Sequence, residues 1–375
     1  MQHINLSYSW TPHSENDALR NRLSPIRNPL MDMLQAVRES GSIAAAAKAM
    51  QLSYRHVWGE LKRWEQALNQ PLILWEKGQA ARLSEFADKL LWAERQAQAR
   101  LSPQISALQA ELEKTFAVAF DANSHLLTVY ASHDDALVHL REHSARQSLH
   151  LDMRFCGSVD ALRALNEGRC NVAGFHAPVQ PSPRSLVART YKPLLRTGQH
   201  KLIGFALRQQ GLIVAPGNPR GVRQLGDLAQ AGLRYVNRSL GTGTRLLLDD
   251  ALLTAGILPS QIMGYEHEES SHAAVAACVA AGQADAGLGI ASAAQAQGLD
   301  FVPLVQECYW LVCLKSVLET PSVQALTQVL QSDAWRQHMD TLPGYESTEL
   351  AGQIQSLKKA LPWWHFKTGH NTHTP

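Results

Sequence analysis

Residues 42–68, SIAAAAKAMQLSYRHVWGELKRWEQAL, decide the fold of the N-terminal part of the chain. Ser42 and Ser53 each precede a helical pattern, and serine is a favoured N-cap residue. The first segment is short and rich in alanine, which allows a second helix to approach closely, and Gln51-Leu52 separates it from the next pattern. The stretch therefore predicts two short helices joined by a tight turn.

The flanking residues extend this unit. Upstream, a stripe of apolar side chains predicts another helix that ends at Gly41; its members are Leu30, Met33, Leu34 and Val37. Downstream, LILWEKGQAARLS (residues 72–84) predicts two short strands around a turn at Gly78, and Ser84 is expected to cap the next helix. Residues 25–83 are thus predicted to form a winged helix-turn-helix after a loose arm, residues 1–24.

The predicted helix Tyr54–Leu68 has one apolar stripe, and its other faces carry basic and aromatic side chains. Such a helix fits the major groove of DNA, where arginine contacts base edges and lysine contacts phosphates. The candidate DNA-binding residues, with the cap and the wing included, are Ser53, Tyr54, Arg55, His56, Trp58, Lys62, Arg63, Lys77 and Arg82. The alternative is a helical packing module whose charges only face solvent.

Residues 84–114 are predicted to form a linker helix with an apolar seam. The seam consists of Phe86, Leu90, Ala93, Ala97, Leu101, Ile105, Leu108 and Leu112. It could pair with a second copy of the chain or pack within one chain. Pro103 is expected to kink this helix or to divide it into two.

The composition of the whole chain excludes several protein classes. With 375 residues, 45% of them hydrophobic, the chain can bury a large core and is expected to form two or three folding units. The formal net charge of +2 says little about partners, because local charge decides. The five cysteines lack metal-binding spacing and suit reduced thiols. Neither an export signal nor a membrane-spanning apolar run is found, so we expect a cytoplasmic protein without membrane contact.

After about residue 115, short apolar runs alternate with helical stretches, which predicts βα units and a mostly parallel sheet. The runs are LLTVYAS (126–132), LDMRFCGS (151–158), CNVAGFH (170–176), GLIVAPGN (211–218), LRYVNRS (233–239), ADAGLGI (284–290) and DFVPLV (300–305).

Four junctions in this part place small polar residues where a helix begins, a position suited to an anion. They are Ser132-His133-Asp134, Gly157-Ser158, Gly241-Thr242-Gly243-Thr244 and Ser270-Ser271-His272. Each is also an ordinary helix cap when taken alone. The glycine-rich junction is the strongest candidate, because Arg238 and Arg245 flank it and could neutralise a bound charge. Asn237 ends the preceding strand, and Phe175 and His176 could stack on a ligand or simply pack.

Residues 39–73 contain the elements Gly-Ser-Ile-x-x-Ala-Ala-Lys and Leu-Ser-Tyr-x-x-x-Trp. With these elements, residues 25–110 resemble the DNA-binding domain of the ModE-type molybdate-responsive regulators and, more distantly, that of the LysR-type regulators. The resemblance implies a homodimer or higher oligomer, paired through residues 84–114, on a palindromic DNA operator. The wing departs from the family, since it carries one glycine where that family usually has several.

Three further runs are similar to the periplasmic-binding-protein-like domain of molybdate-binding proteins and of one-component regulators; they are VNRSLGTGTRLLLD, SHAAVAACVAAGQADAGLGI and GLDFVPLVQECYWLV. The similarity implies a two-lobed α/β effector domain of type II over residues 115–350, with ligand in the cleft. Lobe I would comprise residues 116–205 and 302–345, lobe II residues 206–301, and the crossing strands residues 204–216 and 302–314. Glu307 would then lie near the hinge and the effector.

The predicted function is that of an effector-responsive transcription regulator, not an enzyme. The family resemblance implies molybdate, tungstate or molybdenum cofactor as effector, and a small carboxylate or other anionic metabolite is the alternative. An enzyme acting on an anionic substrate is the rival class, but the consecutive Ser132-His133-Asp134 is no triad geometry. We expect neither a catalytic cofactor nor a metal site. The histidines of the C-terminal extension, residues 351–375, are irregularly spaced, and a packed Trp363-Trp364 pair is favoured there.

Overall fold

The computed structural model describes residues 28–75, 80–120, 125–180, 182 and 184–364. The chain divides into two compact units at the junction between Ser102 and Pro103. Within the described ranges, no helix combines the length and the apolar character that crossing a bilayer requires.

The N-terminal unit contains three short helices: α1 (Pro29–Ser40), α2 (Ile43–Ala49) and α3 (Tyr54–Leu68). Helix α1 ends at Gly41, whose φ of 63° is the left-handed conformation that glycine adopts without strain. The Ser42 and Ser53 side chains accept hydrogen bonds from the backbone N–H groups of Ala45 and His56. The predicted helix-turn-helix and both of its caps are therefore confirmed.

A two-stranded antiparallel sheet follows, formed by β1 (Ile73–Leu74) and β2 (Arg82–Leu83). Ser84 caps the next helix by accepting a 3.1 Å hydrogen bond from the Ala87 N–H. These strands flank the predicted wing, whose turn with Lys77 and Gly78 lies outside the described residues.

Helix α4 runs from Glu85 to Phe120 through Pro103, so of the two predicted alternatives the division into two helices is wrong, while the kink stays a prediction. Proline removes one backbone donor, and a helix of 36 residues keeps its other bonds. Most of the predicted seam also stays outside the core: Leu101 is 37% exposed and Leu108 is 51% exposed. Burial follows a stripe displaced by one or two positions, which comprises Ala87, Leu91, Ala99 and Ala110.

The second unit is an α/β structure around a mixed sheet. Its strands are β3 (His125–Ala131), β4 (Leu149–Phe155), β5 (Val172–Pro178), β6 (His200–Val214), β7 (Tyr235–Arg238), β8 (Glu268–Glu269), β9 (Ala286–Ile290), β10 (Asp300–Leu314), β11 (Tyr345–Glu346) and β12 (Ile354–Gln355). Its helices are α5 (Asp135–Ala145), α6 (Ser158–Asn166), α7 (Leu186–Tyr191), α8 (Gly243–Ala255), α9 (His272–Ala280), α10 (Ala291–Ala296), α11 (Pro321–Gln331), α12 (Asp333–Thr341) and α13 (Leu357–Ala360). All seven predicted runs contain a strand.

The strand order is β4-β3-β5-β10-β6-β9-β7-β8, with β11 and β12 paired to β6. Strands β3, β4 and β5 are parallel, as are β7, β8 and β9, so each group brings its strand ends and following loops to one edge. The long strands β6 and β10 join the groups as an antiparallel pair from Val214–Asp300 to His200–Leu314. This pair occupies the positions predicted for the crossing strands.

The C-terminal residues 351–364 pack onto this unit, although the sequence assigned them to an extension. Strand β12 pairs with β6. Trp363 and Trp364 are buried in the same apolar cluster as β5 and α6, with ring centroids 5.8 Å apart. The predicted tryptophan pair is confirmed, whereas His365, His370 and His373 lie outside the described residues.

Candidate functional site

The polar junctions predicted from the sequence come together in the second unit. The Ser132 and Ser158 hydroxyl oxygens lie 3.5 Å apart, which joins the loops after β3 and β4. The Val159 N–H donates to the Gly241 carbonyl at 3.4 Å, which brings the loop after β7 to the same place. A Cβ on Gly157 would lie only 2.9 Å from that carbonyl oxygen, so this approach requires glycine.

Arg208 lies at the centre of these junctions. It is fully buried on β6, donates to the Asp134 carboxylate at 2.6 Å and donates to the Glu307 carboxylate at 2.9 Å. Burial acts to lower the pKa of Arg208, but the nearby Glu307 and Asp134 carboxylates raise it by more. The net pKa lies above its ordinary value, so the guanidinium stays charged. Arg208 is not among the residues predicted from the sequence. The available signal was a single arginine inside the apolar run of β6, because a buried charge requires partners.

Arg238 supplies a second buried guanidinium at the end of β7. Its Nη1 donates to the Glu269 backbone carbonyl at 2.8 Å, while its Nε has no hydrogen-bond partner among the described residues. Burial lowers the pKa of Arg238 to about 10, and Arg208 lowers it as well. The side chain is therefore still charged at neutral pH and has a donor that no described residue uses.

Three histidines surround the arginines. His133 Nε2, His176 Nε2 and His272 Nδ1 are buried ring nitrogens for which the described part of the chain offers no hydrogen-bond partner. Burial lowers the pKa of all three rings, and for His272 the nearby Arg238 and Arg208 lower it further. The rings are neutral at pH 7. We call Arg208, Arg238 and these three histidines the central cluster.

Buried carboxylates face both arginines of the central cluster. Arg208 pairs with Asp134 and Glu307, burial raises the pKa of Asp134, and the negative charge of Glu269 opposes the lowering of the Arg238 pKa. Since buried donors are nearly always satisfied in native proteins, the unpartnered nitrogens indicate a place for an acceptor-bearing ligand. Helix α6 also starts here, and its N-cap Gly157 supplies no side-chain cap.

Arg245 does not belong to this cluster, contrary to the sequence prediction. Its Nε donates to the Asp249 carboxylate at 3.1 Å, and its Nη1 donates to Glu268 at 2.6 Å. The guanidinium also lies 4.3 Å from the centre of the Tyr265 ring. The reason is helical spacing, since Asp249 lies one turn after Arg245 on the side of α8 that faces Glu268.

Two other predicted ligand residues have structural roles. The Asn237 amide donates to the Tyr265 backbone carbonyl and accepts from the Arg238 N–H, so both of its ends are used. Phe175 is in the apolar core and packs edge-on against Tyr191, with centroids 5.0 Å apart. Alternation along β5 places Phe175 on the face opposite His176.

The remaining predicted residues lie at helix starts or in ion pairs around the cluster. Thr242 and Ser271 cap α8 and α9, and the Thr244 hydroxyl accepts from Gln210 at 2.8 Å. Asp134 caps α5 as well as pairing with Arg208. The loops after β3, β4 and β7 meet at a place lined by Ser132, Ser158, Gly241 and Gly243. Glu307 lies beside Arg208 in the β6–β10 pair.

In the N-terminal unit, α3 has the predicted two-sided character. Val57 and Leu61 are buried, while Tyr54, Arg55, His56, Trp58 and Arg63 are exposed and Ser53 precedes them at the exposed cap. Lys62 pairs with Glu65 at 2.7 Å, and Arg63 pairs with Glu60 at 2.5 Å. Arg55 and His56 therefore stand at the exposed N-terminal end of the helix, the end that meets base edges in helix-turn-helix proteins. Arg82 is exposed on β2.

The buried neutral histidines predict a pH-dependent stability. A histidine with a lowered folded-state pKa stabilises the protein above its unfolded pKa of about 6.5, and this contribution is lost as the pH falls below that value. His176 and His272 together should lower the free energy of unfolding by about 2 kcal/mol between pH 6.5 and 5.5. In urea unfolding, His176→Asn combined with His272→Asn should flatten this loss, whereas His56→Asn should not. An unchanged pH slope in the double variant would contradict the assignment.

Comparison with known families identifies the second unit. Residues 140–331 match the model of the PBP superfamily domain, which is more than half of the chain. The chain belongs to the PBP superfamily domain family. The central cluster lies within the matched range except for His133, so the PBP domain supplies nearly all of it. Residues 30–88 match the model of the bacterial regulatory helix-turn-helix protein, lysR family.

The chain is also similar to individual proteins. The uncharacterized protein YvgK of Bacillus subtilis (strain 168) is 34% identical over 202 residues, which is 54% of this chain and 64% of YvgK, so the chain spans less than two thirds of that relative. An uncharacterized protein in the ferredoxin 2Fe-2S gene 5' region of Clostridium pasteurianum is 36% identical over 113 residues, 30% of this chain and 100% of the relative. A structure of a Corynebacterium glutamicum OxyR mutant with bound H2O2 has 17% identity and a TM-score of 0.42, covering 82% of this chain and 92% of that OxyR chain.

Proposed function

We propose that this protein is a DNA-binding transcription regulator whose PBP domain senses a small anion. The observation that carries the proposal is the central cluster, in which buried nitrogens of Arg238 and three histidines lack hydrogen-bond partners among the described residues, although the His176 Nε2 lies 3.9 Å from the Asp134 carboxylate. The match of residues 30–88 to a regulatory helix-turn-helix family supports the DNA-binding half.

The donor set favours an anion over a neutral ligand. Arg238 offers a charged donor, and the uncapped start of α6 offers backbone N–H groups. The histidines offer donors that bind a proton more readily once negative charge arrives. Because buried carboxylates already accompany both arginines, a buried dianion would draw protons onto the histidines. Anion affinity should consequently rise as the pH falls.

Molybdate and tungstate are the first effectors to test, because the N-terminal motifs resemble those of ModE-type regulators. Molybdenum cofactor and a small carboxylate are the alternatives. We propose no catalytic role: Asp134, which would have to orient a histidine in a Ser-His-Asp triad, is bound to Arg208 instead. Turnover of an anionic substrate by the purified protein would contradict this part of the proposal.

Native mass spectrometry tests the effector directly. Protein purified from cells grown with and without molybdate should differ by the mass of a retained ligand, and calorimetry with molybdate, tungstate and succinate should then rank the anions. Failure of every anion to bind, with no retained mass, would contradict anion sensing.

We further propose a homodimer, paired through α4, on palindromic DNA in the cytoplasm. The exposed seam residues Leu101 and Leu108 support pairing, because large apolar side chains in regular exposed positions mark interaction surfaces. Helix α4 connects the two units covalently, so closure of the PBP domain could be transmitted through it. A tenfold change in DNA affinity upon effector binding corresponds to about 1.4 kcal/mol. Sedimentation analysis with and without DNA tests the assembly.

The double substitution Arg55→Ala and Lys62→Ala should abolish sequence-specific DNA binding while leaving anion affinity unchanged. Arg55 would lose a base contact worth about 1–3 kcal/mol, and Lys62 would lose a phosphate contact. The measurement is a band shift at physiological salt on fragments that the wild-type protein selects from random DNA. Lys89→Ala, which removes an exposed lysine paired with Glu85, is the matched control. Wild-type shifts by the double variant would refute the recognition-helix assignment.

A further inference from the structure

A group of metal-ligating side chains lies beside the central cluster and is not used by the proposed function. His267, Glu269 and Cys278 each offer a ligand atom, and these atoms all lie within 4.8 Å of one another. The Cys278 sulfur lies 3.3 Å from a Glu269 carboxylate oxygen, and the His267 Nε2 lies 3.9 Å from the same oxygen. The Glu269 carboxylate faces this group, whereas its backbone carbonyl accepts from Arg238.

The local structure explains why these residues meet. His267 and Glu269 are two residues apart along an extended segment that pairs with β7, so their side chains share one side. Cys278 lies two turns into α9, which packs against β8 and β9. Spacing rules for metal motifs miss such a set, because a strand and a helix supply ligands nine and eleven residues apart.

We propose that His267, Glu269 and Cys278 form a zinc-binding site. Zinc accepts thiolate, imidazole and carboxylate ligands in tetrahedral geometry, in which neighbouring ligand atoms are about 3.3–3.8 Å apart. The distances between ligand atoms approach this range already, and the mixture of one sulfur, one nitrogen and one oxygen suits zinc better than magnesium or calcium. Water or the Gln283 side-chain oxygen, 3.7 Å from the Cys278 sulfur, would complete the site.

The three side chains differ in burial, so an ion can enter from solvent on one side and bind away from water on the other. Glu269 and Cys278 are buried, whereas the His267 side chain is 42% exposed, so the group meets solvent on the side of His267. In the metal-free protein the Cys278 thiol donates to the Glu269 carboxylate. Zinc replaces that proton: the thiol becomes a thiolate bound to the metal and one proton is released to water, while neither group changes its oxidation state.

The test uses the full-length chain, stripped of metal, and Zn²⁺ in competition with a chromophoric chelator. We expect one tightly bound Zn²⁺ per chain and an affinity that falls at least tenfold in both Cys278→Ser and His267→Ala. Co²⁺ in place of Zn²⁺ should give a thiolate charge-transfer absorption that Cys278→Ser removes. His267→Ala keeps the proposal testable if the buried Cys278→Ser variant does not fold.

Matched controls separate this site from other thiols and histidines. Cys156→Ser, and His370→Ala combined with His373→Ala in the C-terminal tail, should leave Zn²⁺ affinity unchanged. The proposal is overturned if no Zn²⁺ binds, if His267→Ala binds Zn²⁺ as the wild type does, or if the tail variant alone removes binding. None of these results depends on which anion the PBP domain senses.

Discussion

Replacing Arg238 with methionine should abolish anion sensing while leaving the PBP domain folded. The Nε of each cluster arginine has no hydrogen-bond partner among the described residues, but Arg208 is neutralised by two carboxylates, so Arg238 is the cation proposed to meet the anion. Loss of a buried charged contact costs about 2–5 kcal/mol, so affinity for molybdate or tungstate should fall at least about thirtyfold. Calorimetry measures the affinity, and thermal unfolding verifies that the variant is folded.

Two arginines provide matched controls for this result. Arg245→Gln alters the same loop-helix motif, but its guanidinium is held by Asp249 and Glu268, so anion affinity should change less than about threefold. Arg234→Gln removes an exposed arginine paired with Asp285 and should have no effect on affinity. If Arg245→Gln abolishes binding while Arg238→Met does not, the cluster is wrongly assigned.

The second large effect is expected at Arg208. Arg208→Met would leave the buried Asp134 and Glu307 carboxylates without their cation, and removing one member of a buried ion pair costs about 3–5 kcal/mol. Urea unfolding should show this loss in the free energy of unfolding, which is a large part of the stability of a typical domain. Arg163→Met, which breaks an exposed pair with Asp160, should cost about 1 kcal/mol or less.

A compensating variant distinguishes charge imbalance from lost packing. In Arg208→Met combined with Asp134→Asn and Glu307→Gln, the uncompensated charges are gone, so most of the lost stability should return. If the triple variant is as unstable as Arg208→Met alone, the side chain acts through packing and not through its charge. The triple variant should also fail to bind anions, since the cluster loses the geometry that Arg208 imposes.

Much of the local structure followed from the sequence. Ser42, Ser53 and Ser84 were predicted as helix caps and act as caps, because a cap depends on residues three positions away. The seven apolar runs were predicted as strands from residues that are adjacent in sequence, which is also a local signal. Of the two outcomes predicted for Pro103, the division into two helices was wrong, since the loss of one hydrogen bond does not end a helix of 36 residues.

The sequence by itself determined the positions of the N-terminal helices and of the strands in the seven apolar runs, and therefore which loops carry polar groups at helix starts. Only the tertiary structure decided which of those groups share a site. Arg208 and Glu307 are 99 residues apart and meet because β6 and β10 are neighbours in the sheet. Arg238 and Arg245 flank the same loop, but Glu268 from β8 and Asp249 within α8 hold Arg245, while the Arg238 Nε has no hydrogen-bond partner among the described residues. Spacing along the chain sets backbone geometry, whereas the partners of a buried charge depend on strand order.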